Sequence, residues 1–123
     1  MHLANCIIKA LEKGTIKTVL LFSDTYTMPE PPYVVVKPEN GAIANTRQYR
    51  IIVHHLAGLS DDLEKYAMAE IDQLLPSFLD VNEGGEKSRF KLYKGGYTDI
   101  TAEPFDNTFF MERIFYTPLP GHQ

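Results

Sequence analysis

Asp61-Asp-Leu-Glu-Lys-Tyr-Ala-Met-Ala-Glu-Ile-Asp-Gln-Leu-Leu-Pro-Ser-Phe78 is the stretch on which the fold class turns. Leu63, Ala67, Ile71, Leu74, Leu75 and Phe78 recur at helical spacing along one face, while Asp62, Lys65, Glu70 and Asp72 take the other. Asp61 and Glu64 have the spacing of a capping box: the aspartate oxygen accepts a first-turn amide and the glutamate reaches back. Pro76 kinks or terminates the helix near its end, because its ring removes an amide and clashes with the preceding turn. A long amphipathic helix set among strand-like blocks predicts an α+β domain. The expected form is a single, mostly antiparallel or mixed sheet with an N-terminal helix and one long central helix packed on it, all in one domain, 1–123.

Upstream of that helix, Gln48 to Leu56 alternates as a strand covered on one face should. Tyr49, Ile51 and Val53 line one side, with Gln48, Arg50 and His54 on the other beside Ile52. Tyr33-Val-Val-Val-Lys37 is the strongest strand signal, since β-branched side chains favour extended backbone. Thr18-Val-Leu-Leu-Phe22 is a shorter apolar block of the same kind. Between these lie a proline-rich loop, Ser23 to Pro32, and a polar connection, Pro38 to Asn45. Met1 to Lys13 carries a helical stripe of Leu3, Ile7, Ala10 and Leu11, closed by Gly14 as a left-handed stop.

Downstream, Val81 to Lys87 reads as an exposed turn around Gly84-Gly85. Phe90 to Tyr93 and Tyr97 to Ala102 read as strands joined across Lys94-Gly-Gly96, a glycine turn suited to a hairpin. After a turn at Pro104 to Asn107, Phe109 to Thr117 is the last strand.

The formal charge of −4 argues against a nucleic-acid binder, which needs clustered cations. Arg89, Lys91 and Lys94 are the only dense basic segment and are too few to change that. One cysteine, Cys6, excludes an internal disulfide and a multi-cysteine metal site, and it falls on the first helix as a small apolar residue. Lys9, Glu12 and Lys13 break the N-terminal apolar run, so no signal peptide or membrane anchor is expected, and a cytoplasmic location is.

No residue pattern here carries chemistry. His54 and His55 are adjacent on a strand and point to opposite faces, so they do not chelate one metal ion together. Neither glycine pair follows a strand to open a helix, as phosphate binding requires. Asp61-Asp62 suits a helix start, and the other carboxylates lack a nucleophile or base beside them. The expectation is therefore no enzyme, with no catalytic, cofactor-binding or metal-ligating residue and no cofactor. Phe109, Phe110, Phe115 and Tyr116 crowd both faces of the last strand, a composition that fits either a doubly covered strand or a subunit interface.

Three stretches carry a family resemblance. Pro32-Tyr-Val-Val-Val36 follows an N-terminal helix and loop. Tyr49-Arg-Ile-Ile-Val-His54 runs into Leu59-Ser-Asp-Asp-Leu63, and Asn107-Thr-Phe-Phe-Met-Glu-Arg-Ile-Phe115 ends the sheet. In this layout the chain resembles the tail-terminator and tail-completion (head–tail joining) proteins of bacteriophages and prophages. The resemblance implies a non-enzymatic structural role at the head–tail junction, with subunits in a hexameric ring contacting tail-tube and head-completion proteins. It places the protein in the host bacterial cytoplasm during assembly and in the virion afterwards. The interface residues it suggests are Glu30, Tyr33, Glu39, Arg47, Phe109, Phe110, Arg113, Phe115 and Tyr116, with Glu30, Glu39 and Arg47 setting register between protomers. The alternative is a small ligand-binding or enzymatic α+β domain with a pocket between sheet and central helix, where Tyr49, Arg50 and His54 reach the lip.

Overall fold

The computed structural model describes residues 3–23, 29–30, 32–41, 44–56, 61–83, 85–97, 101–102 and 108–118. In chain order the elements are α1 (Leu3–Leu11), β1 (Val19–Leu21), β2 (Tyr33–Asn40), β3 (Thr46–Leu56), α2 (Asp61–Leu74), β4 (Phe78–Glu83), β5 (Glu86–Lys91), β6 (Tyr93–Tyr97), β7 (Thr101–Ala102) and β8 (Thr108–Pro118).

The β-branched run of β2 pairs antiparallel with β3, Val34 opposite Val53 and Val36 opposite Ile51. β3 pairs antiparallel with β8 along its whole length, from Thr46 opposite Pro118 to Leu56 opposite Thr108. β1 adds parallel to β2 at one end, while β6 and β7 add antiparallel to β8 at the other. The sheet order is β1-β2-β3-β8-β6, with β4 and β5 forming a separate two-stranded sheet. Pro38 is tolerated inside β2 because β1 ends at Leu21, opposite Val36, and leaves β2 an edge beyond that point. Asn45, at φ 61, supplies the left-handed residue of the β2–β3 turn, which Gly41 closes by donating its N–H to the Thr46 carbonyl at 3.1 Å.

Register and alternation together define two faces. Val34, Val36, Tyr49, Ile51, Val53 and Phe115 turn to one side, where Leu3, Ala4, Ile7 and Leu11 of α1 and Ile71 and Leu75 from the α2 end complete the core. Each fully buried aliphatic side chain of that set contributes about 2 kcal/mol of transfer free energy. Tyr33, Val35, Gln48, Arg50, Ile52, His54, Phe110, Glu112 and Tyr116 turn to the opposite face.

The expected α+β fold with one long central helix is not what forms. The described residues are mostly β, with two short helices of 9 and 14 residues among them. α2 stops at Leu74, two residues before Pro76, whose ring and missing amide prevent a further turn. Phe78, expected on the helix stripe, instead opens β4 and is 48% exposed. The side chains of 61–67, and with them the Asp61–Glu64 capping box, lie outside the described residues.

The turn expected over 81–87 is mostly strand: Asn82 pairs with Lys87 and Glu83 with Glu86 in β4 and β5, and Gly85 stands at φ 85. Lys94-Gly-Gly96 is not a turn but part of β6, where the register against β8 shifts between Lys94 and Tyr97. Gly14 is not left-handed. It is buried at the close approach to Glu70, whose carboxylate a Cβ would strike.

Candidate functional site

Arg50 organises the polar part of the sheet face opposite the helices. Its Nε donates to Glu39 Oε1 at 2.8 Å, and its Nη1 pairs with Glu112 on the neighbouring strand. Gln48 Nε2 donates to the same Glu39 oxygen at 3.1 Å. Burial pushes the Glu39 carboxyl up, but the bonds and charge of Arg50 and Gln48 outweigh it and leave the group below its ordinary range. Both carboxylates are thus engaged by one guanidinium, which suits a structural tie across three strands better than acid–base work. Along the same face the ring of His54 stacks on Tyr33 at 4.5 Å between centroids and tilts toward Phe110 at 5.8 Å.

On the helix face, Arg113 is 8% exposed. It donates to Asp72 Oδ1 at 3.0 Å and to the Gly95 carbonyl at 2.9 Å, joining β8, α2 and β6. His55 is 1% exposed, and neither ring nitrogen has a hydrogen-bond partner among the described residues. Desolvation, with His54 adding to it, pushes its pKa below the ordinary value, so the ring is held neutral.

The cleft imagined between sheet and central helix is occupied by packing: Ile71, Leu75, Ile51 and Phe115 belong to one buried cluster. An open groove of about 570 Å³ runs past Lys13, Gly14, Thr15, Lys17, Glu70 and Leu74. Its anion position is already filled from within, since Thr15 donates both its backbone N–H and its hydroxyl to the Glu70 carboxylate. No group of three or more histidine, cysteine, aspartate or glutamate side chains among the described residues is placed to hold a metal ion. No described helix is long and apolar enough to cross a membrane.

The residues suggested for an interface divide sharply. Tyr33 (2% exposed), Phe115 (0%) and Arg113 are buried within the chain, so they hold the fold together and present nothing to a partner. The physical reason is face packing: Phe115 belongs to the core cluster beneath the helices, Arg113 is tied to Asp72 of α2, and Tyr33 stacks on His54 on the opposite face. Glu39 is engaged by Arg50, while Phe110 and Tyr116 are half-buried. Glu30 and Arg47 are exposed. Phe109 lies in β8 opposite His55, with its side chain outside the described residues.

Among the described residues the large apolar side chains left exposed are Leu21 (45%), Phe22 (37%), Phe78 and Tyr93 (46%), none of which the sequence reading placed at a surface. The available signal was the alternation Arg89, Lys91, Tyr93, which places cations and a ring along one polar face. Lys91 Nζ stands 5.7 Å from the Phe78 ring centroid and 4.8 Å from that of Tyr93. Compared with known proteins, the sequence matches no family model and no curated protein.

Proposed function

We propose that the chain is a phage or prophage virion-assembly subunit, a tail-terminator or tail-completion component that works through protein–protein contacts in a ring and performs no catalysis. One observation carries this reading. The large apolar side chains left exposed among the described residues gather at the two ends of one sheet: Leu21 and Phe22 at β1, Tyr93 on β6 with Phe78 beside it. Copies meeting head to tail through two different patches close into a ring when the rotation per step allows it. Such uncovered edges are otherwise a liability that folds avoid. The order of helix, strands, helix and strands, which supports the tail-neck assignment, survives the shortening of α2. The internal satisfaction of Arg50, Arg113 and Glu70 also favours a scaffold over a reactive site.

Two measurements test this. Sequencing the DNA that flanks the gene is expected to find portal, capsid and tail-tube genes; metabolic neighbours would overturn the tail assignment. Light scattering of the purified chain is expected to find a six-copy species near 84 kDa, built from 14.0 kDa subunits. The Leu21→Ser/Phe22→Ser double variant is expected to remain monomeric with an unchanged melting temperature. A wild-type chain that stays monomeric at every concentration, even with tail tubes added, would sink the ring.

A further inference from the structure

At each end of the sheet the exposed aromatic ring carries an ammonium. Lys37 Nζ stands 4.7 Å from the centroid of Phe22 at the β1 end. At the other end Lys91 Nζ stands 4.8 Å from the Tyr93 centroid and 5.7 Å from that of Phe78. Neither ammonium has a carboxylate within ion-pair distance among the described residues. Glu39, the acid whose carboxyl Lys37 helps to hold ionised, is bonded to Arg50 and Gln48, and Asp24 lies outside the described residues. Beside Lys91, Arg89 and Asp80 form a pair without net charge, Nε to Oδ1 at 2.7 Å, and Lys94 reaches the Asp72 carbonyl at 3.4 Å. Glu83 and Glu86 are paired at the far end of the hairpin from Phe78 and Lys91, roughly 17 Å away at strand spacing and beyond the screening length of physiological salt.

We propose that these two lysines are an electrostatic brake on assembly between copies of the chain. When Leu21 and Phe22 of one copy meet Phe78 and Tyr93 of the next, Lys37 and Lys91 are brought together, and the copies assemble more readily as that repulsion is screened or neutralised. The inference rests on the ring reading and regulates the same contact. Its ground is that each ammonium stands over the ring that docking must cover, so swinging it aside forfeits its attraction to that ring. Like charges set against each other across an interface oppose binding, and salt screens them. Patches of opposite sign behave the other way and lose affinity as salt rises. The overall charge of −4 also repels at low salt, but reversing one lysine deepens it to −6, so the two sources of repulsion predict opposite responses to the same substitution.

The test is sedimentation velocity of the full chain in about 0.05 M and about 0.5 M sodium chloride, for the wild type, Lys37→Glu, Lys91→Glu and the double reversal. The wild type is expected to assemble at a lower concentration in the higher salt. In low salt each single reversal is expected to assemble at about a tenth of the wild-type concentration, the scale of turning an exposed repulsion into an attraction, and added salt should now weaken it. The double reversal restores like charges and should return to wild-type behaviour, as a charge-swap cycle requires. Lys91 is exposed, so Lys91→Glu should keep the wild-type melting temperature; it carries the test alone if Lys37→Glu, at a half-buried position, lowers it. Wild-type assembly that weakens as salt rises, a single reversal that weakens assembly, or a double reversal as tight as the singles would overturn the brake and leave the ring standing. Chains that stay monomeric in every variant and at both salt concentrations would overturn the ring and the brake with it.

Discussion

The Arg113 guanidinium meets the Asp72 carboxylate at 3.0 Å, Nε to Oδ1, and through it the last strand is fastened to the second helix. The pair is unequal: the arginine side chain is 10% exposed and the aspartate 35%. Asp72 can therefore turn to water when its partner is lost, whereas Arg113 cannot. Removing the aspartate takes the counter-charge from a buried guanidinium that keeps its bond to the Gly95 carbonyl, and losing one partner of such a pair is the expensive way to break it. Asp72→Ala is expected to destabilise by about 2–3 kcal/mol, discounted from the fully buried case for solvent screening, and Arg113→Met by about 1–2 kcal/mol. Urea denaturation of the two variants and their double mutant checks this. If Asp72→Ala were the milder change, the arginine would not depend on the carboxylate.

Gly95 gives a second, purely steric expectation. A Cβ there would lie 2.7 Å from Tyr116 Cε2 and 3.1 Å from the Ile114 carbonyl oxygen, and a backbone oxygen is hard to displace. Gly95→Ala is expected to cost about 1–3 kcal/mol, as overpacking does. In a Tyr116→Leu background the same change should cost measurably less, because the nearer obstacle has gone. Equal costs in the two backgrounds, read from urea midpoints, would remove the ring from the account.

The same position marks where the sequence misleads. Gly95 and Gly96 carry the composition of a turn, and only the arrival of Tyr116, some twenty residues later, makes a side-chain-free position necessary inside a strand. Local patterns succeed where burial is periodic: Leu3, Ile7 and Leu11 are all buried, and Tyr49, Ile51 and Val53 share the core face. They fail for the hairpin of 78–91. There the glycine pair Gly84-Gly85 with its acidic flanks has the composition of a turn over 81–87, although Leu79 and Phe90 pair across the hairpin and pack on the core. The extended apolar stripe through Phe78 likewise overstated the second helix, although Pro76 already named its limit. The aromatic last strand fits a covered strand and an interface equally in sequence, because the residues that bury Phe115, among them Leu3, Ile7, Ile71 and Leu75, lie far from it in the chain.

The tie between Arg50 and Glu39 sets a first pH expectation. The Glu39 carboxyl is held below its ordinary 4.5, so its contribution is fully present above that pH and is lost as the pH falls through the lower folded value. Both side chains are about a quarter exposed, which limits the contribution to about 1 kcal/mol or less. Glu39→Gln should leave stability at pH 7 within that margin and flatten the decline below pH 4.5. A decline of unchanged steepness in urea titrations at pH 3 to 5 would assign it to other carboxylates.

His55 acts earlier in an acid titration. Burial without a partner for either ring nitrogen holds its pKa below the ordinary 6.5, with the nearby His54 lowering it further. Below pH 6.5 the unfolded chain takes up a proton that the folded chain refuses, so stability rises with pH across this window. Each unit of acidification below 6.5 should remove up to about 1.4 kcal/mol, until the folded-state pKa is reached and the loss stops. His55→Leu removes both the titrating group and its two unsatisfied nitrogens. It should therefore raise stability by about 1 kcal/mol at pH 7 and by more at pH 5.5, because an unpaired buried polar group is a cost in itself. Chemical denaturation at half-unit intervals from pH 5 to 8 separates these effects. A variant with the wild-type slope between pH 6.5 and 5.5 would show that the folded protein already accommodates the charged ring, and that the nitrogens find partners on protonation.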